Sequence, residues 1–394
     1  MSQSVIVSAV RTPIGNFQGA LSPFSATELG AVVIDDVIRK GKCKPADVEY
    51  CIMGCVLPAG LGQSPARQAT LKSTLPPSTQ ALTINKVCGS GLMSVMIADQ
   101  MIRCGDHEIV MAGGMESMTN SPYLLPKARN GYRMGNGEII DSLVNDGLWD
   151  LKSNQHMGCC ADLCAKENDI SRKEQDEFAS ESYRKALAAI KDGAFKDEIV
   201  PVKIPQRKGE PLIFDTDEGP AKVNFEKLPK LKPSFGEDGS VTAANASSIN
   251  DGAATVLVMS EGKAKKLKLK PLAKIVAHAG FSKDTVEFTT APVEAIERVL
   301  KKAKLKISDI DLFEINEAFS CVVLNVIKKY KLDPKKVNIN GGAVALGHPI
   351  GASGTRILVT LIHAMRAKGA KFGLATLCIG GGEAVAMIIE SVEV

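Results

Sequence analysis

The sequence predicts an α/β protein made of two similar layered halves with an irregular insertion between them. Its 394 residues exceed the roughly 250–300 at which one core usually splits, so two or more domains are expected. Short β-branched runs alternate with helix-period stretches, which is the pattern of stacked α and β layers. One glycine-rich turn, with the helix and strand that follow it, also occurs twice. Gly89-Ser90-Gly91 opens an apolar helix that ends at Arg103-Cys104-Gly105, followed by Ile109-Val110-Met111-Ala112 and Gly113-Gly114. Gly351-Ala352-Ser353-Gly354 opens a helix that ends at Lys368-Gly369, followed by Gly373-Leu374-Ala375-Thr376-Leu377 and Gly380-Gly381.

In chain order, Val5-Ile6-Val7-Ser8-Ala9-Val10 makes 4–10 a strand, followed by a helix over 26–40, a strand over 49–56 and a helix over 64–73. The helix at 89–103 carries Leu92, Met93, Val95, Met96, Ile97, Met101 and Ile102 nearly all round, which places it between layers. A strand at 107–114 follows. Residues 119–249 are rich in Gly, Pro, Asn and Lys, hold the only Trp (Trp149), and read as a long irregular insertion of the kind that carries binding function on a rigid scaffold. Within it, Ser171-x-x-Glu174 is a capping box that opens a helix over 171–191, and Gly193 stops it. Strands at 254–259 and 272–278, a helix at 292–303, a strand at 311–315, helices at 317–330 and 352–368, and a strand at 372–378 complete the pattern.

Composition excludes several roles. No apolar run reaches the roughly 18 residues that span a bilayer, so no membrane role is expected. A net charge of +4 with one Trp and five Tyr offers little for stacking or wrapping nucleic acid, and suits a small anionic ligand better. The start, Met1-Ser2-Gln3-Ser4, runs straight into a strand with no secretory signal, and Glu390-Ser391-Val392-Glu393-Val394 is no peroxisomal tripeptide. The cytoplasm is expected, or the mitochondrial matrix were a leader to have been removed. In a reducing compartment the ten cysteines read as core filler, with one or two reactive.

Two of those cysteines stand at glycine-rich turns: Cys88 in Asn85-Lys86-Val87-Cys88-Gly89-Ser90-Gly91 and Cys378 in Cys378-Ile379-Gly380-Gly381-Gly382. A thiolate at a buried helix N-terminus feels the positive end of the helix dipole, so the Cys88 pKa is expected to fall. The plainer alternative is a small buried residue in a tight turn. Residues 338–354 hold five glycines and His348 next to Pro349, a loop suited to close approach. It has no Gly-Lys-Ser/Thr and no Gly-x-Gly-x-x-Gly, so a nucleotide role is weak, and His348 alone could be structural or catalytic. Asn316, after the strand Leu312-Phe313-Glu314-Ile315, is placed to orient a water or polarise a carbonyl, to cap a helix beginning at Glu317, or both. His156-Met157-Gly158-Cys159-Cys160-x-x-x-Cys164 lacks the second Cys pair of a structural zinc site, so no metal is expected. The lysine clusters at 263–270, 301–306 and 328–336 read as solvated helix faces.

Together, Val87-Cys88-Gly89-Ser90-Gly91, Asn316-Glu317-Ala318-Phe319, Gly341-Gly342-Ala343 through Gly347-His348-Pro349-Ile350-Gly351, and Cys378-Ile379-Gly380-Gly381-Gly382 resemble the four signatures of the thiolase family. The resemblance runs from Val10-Arg11-Thr12-Pro13-Ile14-Gly15 nearly to the end of the chain. Through His156-Met157-Gly158 and Val241-Thr242-Ala243-Ala244-Asn245-Ala246-Ser247 it is similar to the biosynthetic type, acetyl-CoA C-acetyltransferase. The resemblance implies duplicated α/β/α/β/α layers with an inserted loop domain: 1–118 plus 250–270, the insertion 119–249, and 271–394.

It also implies a reversible Claisen condensation of two acetyl-CoA to acetoacetyl-CoA and CoA through an acetyl-cysteine. Cys88 would carry the acetyl group with His348 taking its proton, and Cys378 would exchange the α-proton of the second acetyl-CoA. His348, a water held by Asn316, and the N–H groups of Cys88 and Gly380 would stabilise the oxyanions. Coenzyme A would lie along Leu148, His156, Met157, Phe235, Ala243, Ser247, Ala318 and Phe319, with no covalently bound cofactor. At Glu218-Gly219-Pro220-Ala221-Lys222 several relatives carry Arg or Tyr, so potassium activation is not implied here, and Lys222 is a substitute phosphate contact. A homotetramer through 120–140 is implied. The alternatives are a broader degradative 3-ketoacyl-CoA thiolase, a decarboxylating ketoacyl synthase, against which the second cysteine argues, and a non-catalytic acyl carrier. The direction of the reaction and the acceptance of 2-methyl-branched chains are left open.

Overall fold

The apolar, β-branched runs close into one mixed sheet. The structure is a computed structural model that describes residues 2–392. Its strands are β1 (Ser4–Arg11), β2 (Tyr50–Gly54), β3 (Gln80–Ile84), β4 (Ile109–Ser117), β5 (Asn250–Ser260), β6 (Ala273–Ser282), β7 (Leu312–Ile315), β8 (Phe372–Ile379) and β9 (Glu383–Ser391). They lie in the order β7-β8-β9-β6-β1-β5-β4-β2-β3, with Gly15–Asn16 pairing against β5 as a tenth strand.

From the centre outward the two arms repeat one another. β1 pairs antiparallel with β5, β5 antiparallel with β4, and β4 parallel with β2. β6 pairs antiparallel with β9, β9 antiparallel with β8, and β8 parallel with β7. Even the bulges correspond, at Ile6/Ser8 in one arm and Ile275/Ala277 in the other. The arms meet through only two residue pairs, Val5 with Lys274 and Ile6 with Ala273.

The longer helices are α1 (Ala26–Gly41), α2 (Pro65–Lys72), α3 (Ser90–Cys104), α4 (Met157–Glu167), α5 (Arg172–Lys191), α6 (Ala291–Ala303), α7 (Ser320–Tyr330) and α8 (Ser353–Lys368), with short ones at Glu261–Lys266 and Ala343–Leu346. α3 and α8 sit between the arms: Leu92, Val95 and Ile102 share one core with Ile357, Leu358 and Leu361 and with strand residues of both arms. α1 and α2 cover the outer face of the first arm, and α6 and α7 that of the second. The two central helices end alike, at Gly105 (φ 85°) and Gly369 (φ 63°), each glycine taking the left-handed cap that a side chain resists. At their N-terminal ends they nearly touch, since a Cβ on Gly91 would lie 2.7 Å from the Thr355 nitrogen. Glycine there lets both helix starts reach one place.

The predicted elements occur within a few residues of their expected limits, with four differences. The helix expected over 317–330 begins at Ser320, and its N-cap position is Phe319, so Asn316 is not a cap. Glu317 instead turns inward and accepts hydrogen bonds from Ser182 Oγ (2.7 Å), Asn338 Nδ2 (2.8 Å) and Val344 N (3.0 Å). Strands β3 and β9 were not foreseen. The insertion is also less irregular than expected, because α4 joins α5 inside it. α5 itself has the foreseen capping box, with Ser171 Oγ accepting from Glu174 N and Glu174 Oε2 from Ser171 N. Among the described residues, no helix is long and apolar enough to cross a membrane.

Candidate active site

Cys88 sits on a backbone bend between β3 and α3. Val87, a β-branched residue, is held at φ 46°, a left-handed conformation that costs energy and persists only where its surroundings impose it. Asn85 Oδ1 accepts from Val87 N (2.9 Å), while Ser90 Oγ accepts from Lys86 N (2.8 Å) and donates to Val87 O (2.7 Å). Three short-range hydrogen bonds therefore lock the bend that presents the thiol.

His348 follows Gly347, whose φ of 111° is open only to glycine. Its backbone N–H donates to Asn250 Oδ1 (2.9 Å). The ring is buried. Nδ1 lies 2.6 Å from Ser353 Oγ, and that hydroxyl already donates to Pro349 O (2.9 Å). A hydroxyl has one proton, so Ser353 accepts from Nδ1–H and the ring's lone pair is on Nε2. Asn316 Nδ2 faces Nε2 at 3.5 Å. Burial, with a smaller push from the nearby Arg356 cation, drives the His348 pKa down to about 3. The imidazole is neutral at physiological pH and able to accept a proton at Nε2.

The expected low pKa of Cys88 does not hold. Burial pushes the thiol up to about 11, although hydrogen bonds from the N–H groups of Gly380 and of Cys88 itself favour the thiolate. Desolvation of a 7% exposed residue outweighs the local dipoles. Cys88 at rest is a thiol that needs a base. Cys378 lies near the end of β8, fully buried, and its pKa is raised well above the ordinary thiol range, first by burial and then by the proximity of Cys88. Two thiolates so close disfavour each other.

Cys88 and His348 line a cavity of about 640 Å³. Leu148, His156, Met157, Lys222, Phe235, Ala243, Ser247, Ala318 and Phe319 line it as well. Asn316 and Cys378 are fully buried and are not among its lining residues, and Gly380 packs on Met157, where a Cβ would lie 2.6 Å from Met157 Cε. His156 caps α4 through Nδ1, which accepts from Gly158 N (3.0 Å), and stacks on Phe235 at 4.6 Å between ring centres. Phe319 meets both Phe235 and Phe288 edge to face, at 6.4 Å each. Cys160 and Cys164 of the same helix are packed in the core beneath. Lys222 pairs with Glu218 across 2.8 Å.

Sequence reasoning missed Ser353, Asn250, Phe288, Arg356 and Glu116. Ser353 was legible in principle, five residues after His348 at a helix start. Glu116 lies in β4 with its carboxylate bound by the N–H groups of Val56, Leu57 and Gly351, tying the His348 loop to the first arm. Nothing local in the sequence signals that contact.

The profile of the thiolase N-terminal domain matches residues 4–262, and that of the thiolase C-terminal domain matches residues 269–391. The chain belongs to the thiolase family. An acetyl-CoA acetyltransferase of Pseudomonas aeruginosa is 52% identical over 390 residues, covering 99% of each chain. One from Cupriavidus necator is 52% identical over 391 residues, covering 99% of this chain and 100% of its own. A thiolase from Ascaris suum, solved in complex with coenzyme A, superposes with a TM-score of 0.94 at 43% identity, covering 99% of this chain and 100% of that one. The duplicated sheet arms and the paired central helices are thus the thiolase fold, and the thiol-lined cavity sits where the two copies of that unit converge.

Proposed function

We propose that this thiolase is an acetyl-CoA C-acetyltransferase, joining two acetyl-CoA into acetoacetyl-CoA and free CoA, and the reverse. The observation that carries this reading is the neutral His348 with its lone pair at Nε2, in the same cavity as the protonated thiol of Cys88. His348 takes the Cys88 proton as sulfur attacks the thioester carbonyl, so the acetyl group passes to Cys88 and CoA leaves. A covalent intermediate divides one difficult condensation into two steps.

Acetylation removes Cys88 from the competition for negative charge, one of the causes, with burial and Cys164, that hold Cys378 protonated. Cys378 gives its proton to the departing CoA thiolate and, now itself a thiolate, accepts the α-proton of the second acetyl-CoA; the resulting carbanion attacks the acetyl-cysteine and expels the Cys88 thiolate, which recovers its proton from His348. The Gly380 N–H that reaches the Cys88 sulfur is placed to donate to an oxyanion formed there, together with the Cys88 N–H, and His348 with a water on Asn316 serves the other thioester oxygen.

Coenzyme A lies along the nine cavity residues from Leu148 to Phe319, the aromatic stack of His156, Phe235 and Phe319 gripping its apolar arm. Lys222, at the rim, meets a phosphate. These residues come mostly from 119–249, which we read as the inserted binding unit between an N-terminal half (1–118 plus 250–270) and a C-terminal half (271–394). The exposed Tyr123, Leu125, Met134 and Ile139 support assembly of a homotetramer through this insertion. Ten free thiols support a reducing compartment such as the cytoplasm.

Mixing the protein with acetoacetyl-CoA and CoA, and following loss of enolate absorbance, tests the reading. Cleavage that vanishes in Cys88→Ala is expected. No cleavage by the intact chain, or undiminished cleavage by the variant, overturns it.

A further inference from the structure

α8 directs two side chains, three residues apart, toward the catalytic groups. Ser353 fixes the His348 ring. Arg356 is 1% exposed and stands behind Asn316. Burying a guanidinium is costly unless its donors are met by acceptors, and a purely structural arginine is normally saturated. The other fully buried arginine illustrates this: Arg11 donates from Nε to Glu198 Oε1 (2.5 Å) and through both terminal nitrogens to Asp217 (2.7 and 2.9 Å).

Arg356 is not held in that way. Its Nη1 lies 3.6 Å from Glu314 Oε2, too far for a hydrogen bond, and among the described residues neither Nε nor Nη1 has a hydrogen-bond partner. Burial pushes the Glu314 carboxyl up to about 8, so that group is largely protonated at neutral pH and makes a poor counter-ion. Among the described residues, the guanidinium makes one hydrogen bond, from Nη2 to Asn316 Oδ1 at 3.4 Å. A guanidinium can only donate, so the Asn316 atom facing it must be the carbonyl oxygen, and the amide N–H₂ is turned toward His348 Nε2.

We propose that Arg356 is a positioning residue for acyl transfer, fixing the Asn316 amide so that its N–H₂ rather than its carbonyl faces His348 Nε2 and the water that serves the reacting thioester oxygen. A flipped amide would place one partial negative charge against another where charge develops. The same cation adds to the burial that keeps His348 neutral. This inference rests on the catalytic reading of Asn316 and extends it to a residue that touches no substrate.

The test is a double-mutant cycle in the thiolysis assay: Arg356→Lys and Arg356→Met, each alone and combined with Asn316→Ala. Loss of one oxyanion donor costs about 10²–10³ in kcat, so loss of its orientation is expected to cost about 10- to 100-fold, with KM for CoA unchanged within about twofold. In the Asn316→Ala background either substitution should lower kcat by less than about twofold further, because its target is already gone. Arg356→Lys keeps the buried charge and carries the cycle where Arg356→Met does not fold. Losses that multiply across the two backgrounds, or an unchanged kcat in Arg356→Lys and Arg356→Met alone, overturn the proposal. Full kcat in Asn316→Ala by itself would instead remove Asn316 from the mechanism, and the role of Arg356 with it.

Discussion

Replacing Ser353 with alanine removes one oxygen and two hydrogen bonds, from His348 Nδ1 at 2.6 Å and to Pro349 O at 2.9 Å. The His348 ring is 5% exposed, so no bulk water takes the place of the hydroxyl. A buried N–H left without a partner costs about 1–3 kcal/mol. The ring can escape that cost by moving its proton to Nε2, but then Nε2 no longer accepts the Cys88 proton. The base-competent tautomer is therefore disfavoured by the same amount, which converts to a loss of about 5- to 150-fold in the acylation rate. Stability should respond less, because the N-cap position of α8 is Ala352 and the Ser353 side chain makes no capping bond. The assay is the pre-steady-state burst of CoA release from acetyl-CoA, with thermal unfolding in parallel. A burst rate within twofold of the unmodified protein, in a folded variant, would refute the assignment of Nε2 as the base.

Three further outcomes are expected. Cys378→Ala should still take up labelled acetyl on Cys88 while losing exchange of the acetyl-CoA α-protons with solvent; retained exchange assigns the carbon base elsewhere. Phe235→Ala removes the ring stacked on His156 at 4.6 Å and should raise KM for CoA about tenfold, the equivalent of about 1.4 kcal/mol of lost contact, with kcat little changed; an unaltered KM would place the CoA arm on another wall. Glu314→Gln tests the buried carboxyl whose pKa is raised to about 8. A raised carboxyl pKa stabilises the folded state below its unfolded value and loses that stabilisation as pH rises through the folded one. The glutamine variant should thus gain on the parent protein between about pH 4.5 and pH 8 in unfolding midpoints, and a difference independent of pH would show that Glu314 is already ionised across that range.

How far the sequence reveals this molecule depends on the range of the interaction. Helix starts such as Ser171-x-x-Glu174 are local, and α5 begins where its capping box places it. β9, Glu383–Ser391, went unread because a strand buried on both faces shows an unbroken apolar run with no alternation to distinguish it. β3 went unread as an edge strand none of whose residues is buried, so no apolar face marks it. The pKa of Cys88 was misjudged for a related reason: glycines and a helix start are visible in the sequence, but the desolvation that outweighs them is set by distant chain segments. Cys88 and His348 were recognisable as site residues by type and company. Their protonation states depend on Ser353 and on burial, and only the fold supplies those.

The duplication explains why charge is scarce at this site. Each copy of the unit delivers one cysteine to the convergence point, Cys88 from the loop before α3 and Cys378 from the end of β8, and the close contact of Gly91 with Thr355 keeps the two central helices from holding them apart. Bringing both thiols into one dry space raises both pKa values, so neither ionises freely and each must pass its proton to a partner during the reaction. The neutral His348 serves Cys88. Acylation of Cys88 then leaves Cys378 as the sole thiol that can carry charge. A fold that kept the thiols apart or well hydrated would ionise both more easily, and would lose the order in which they act.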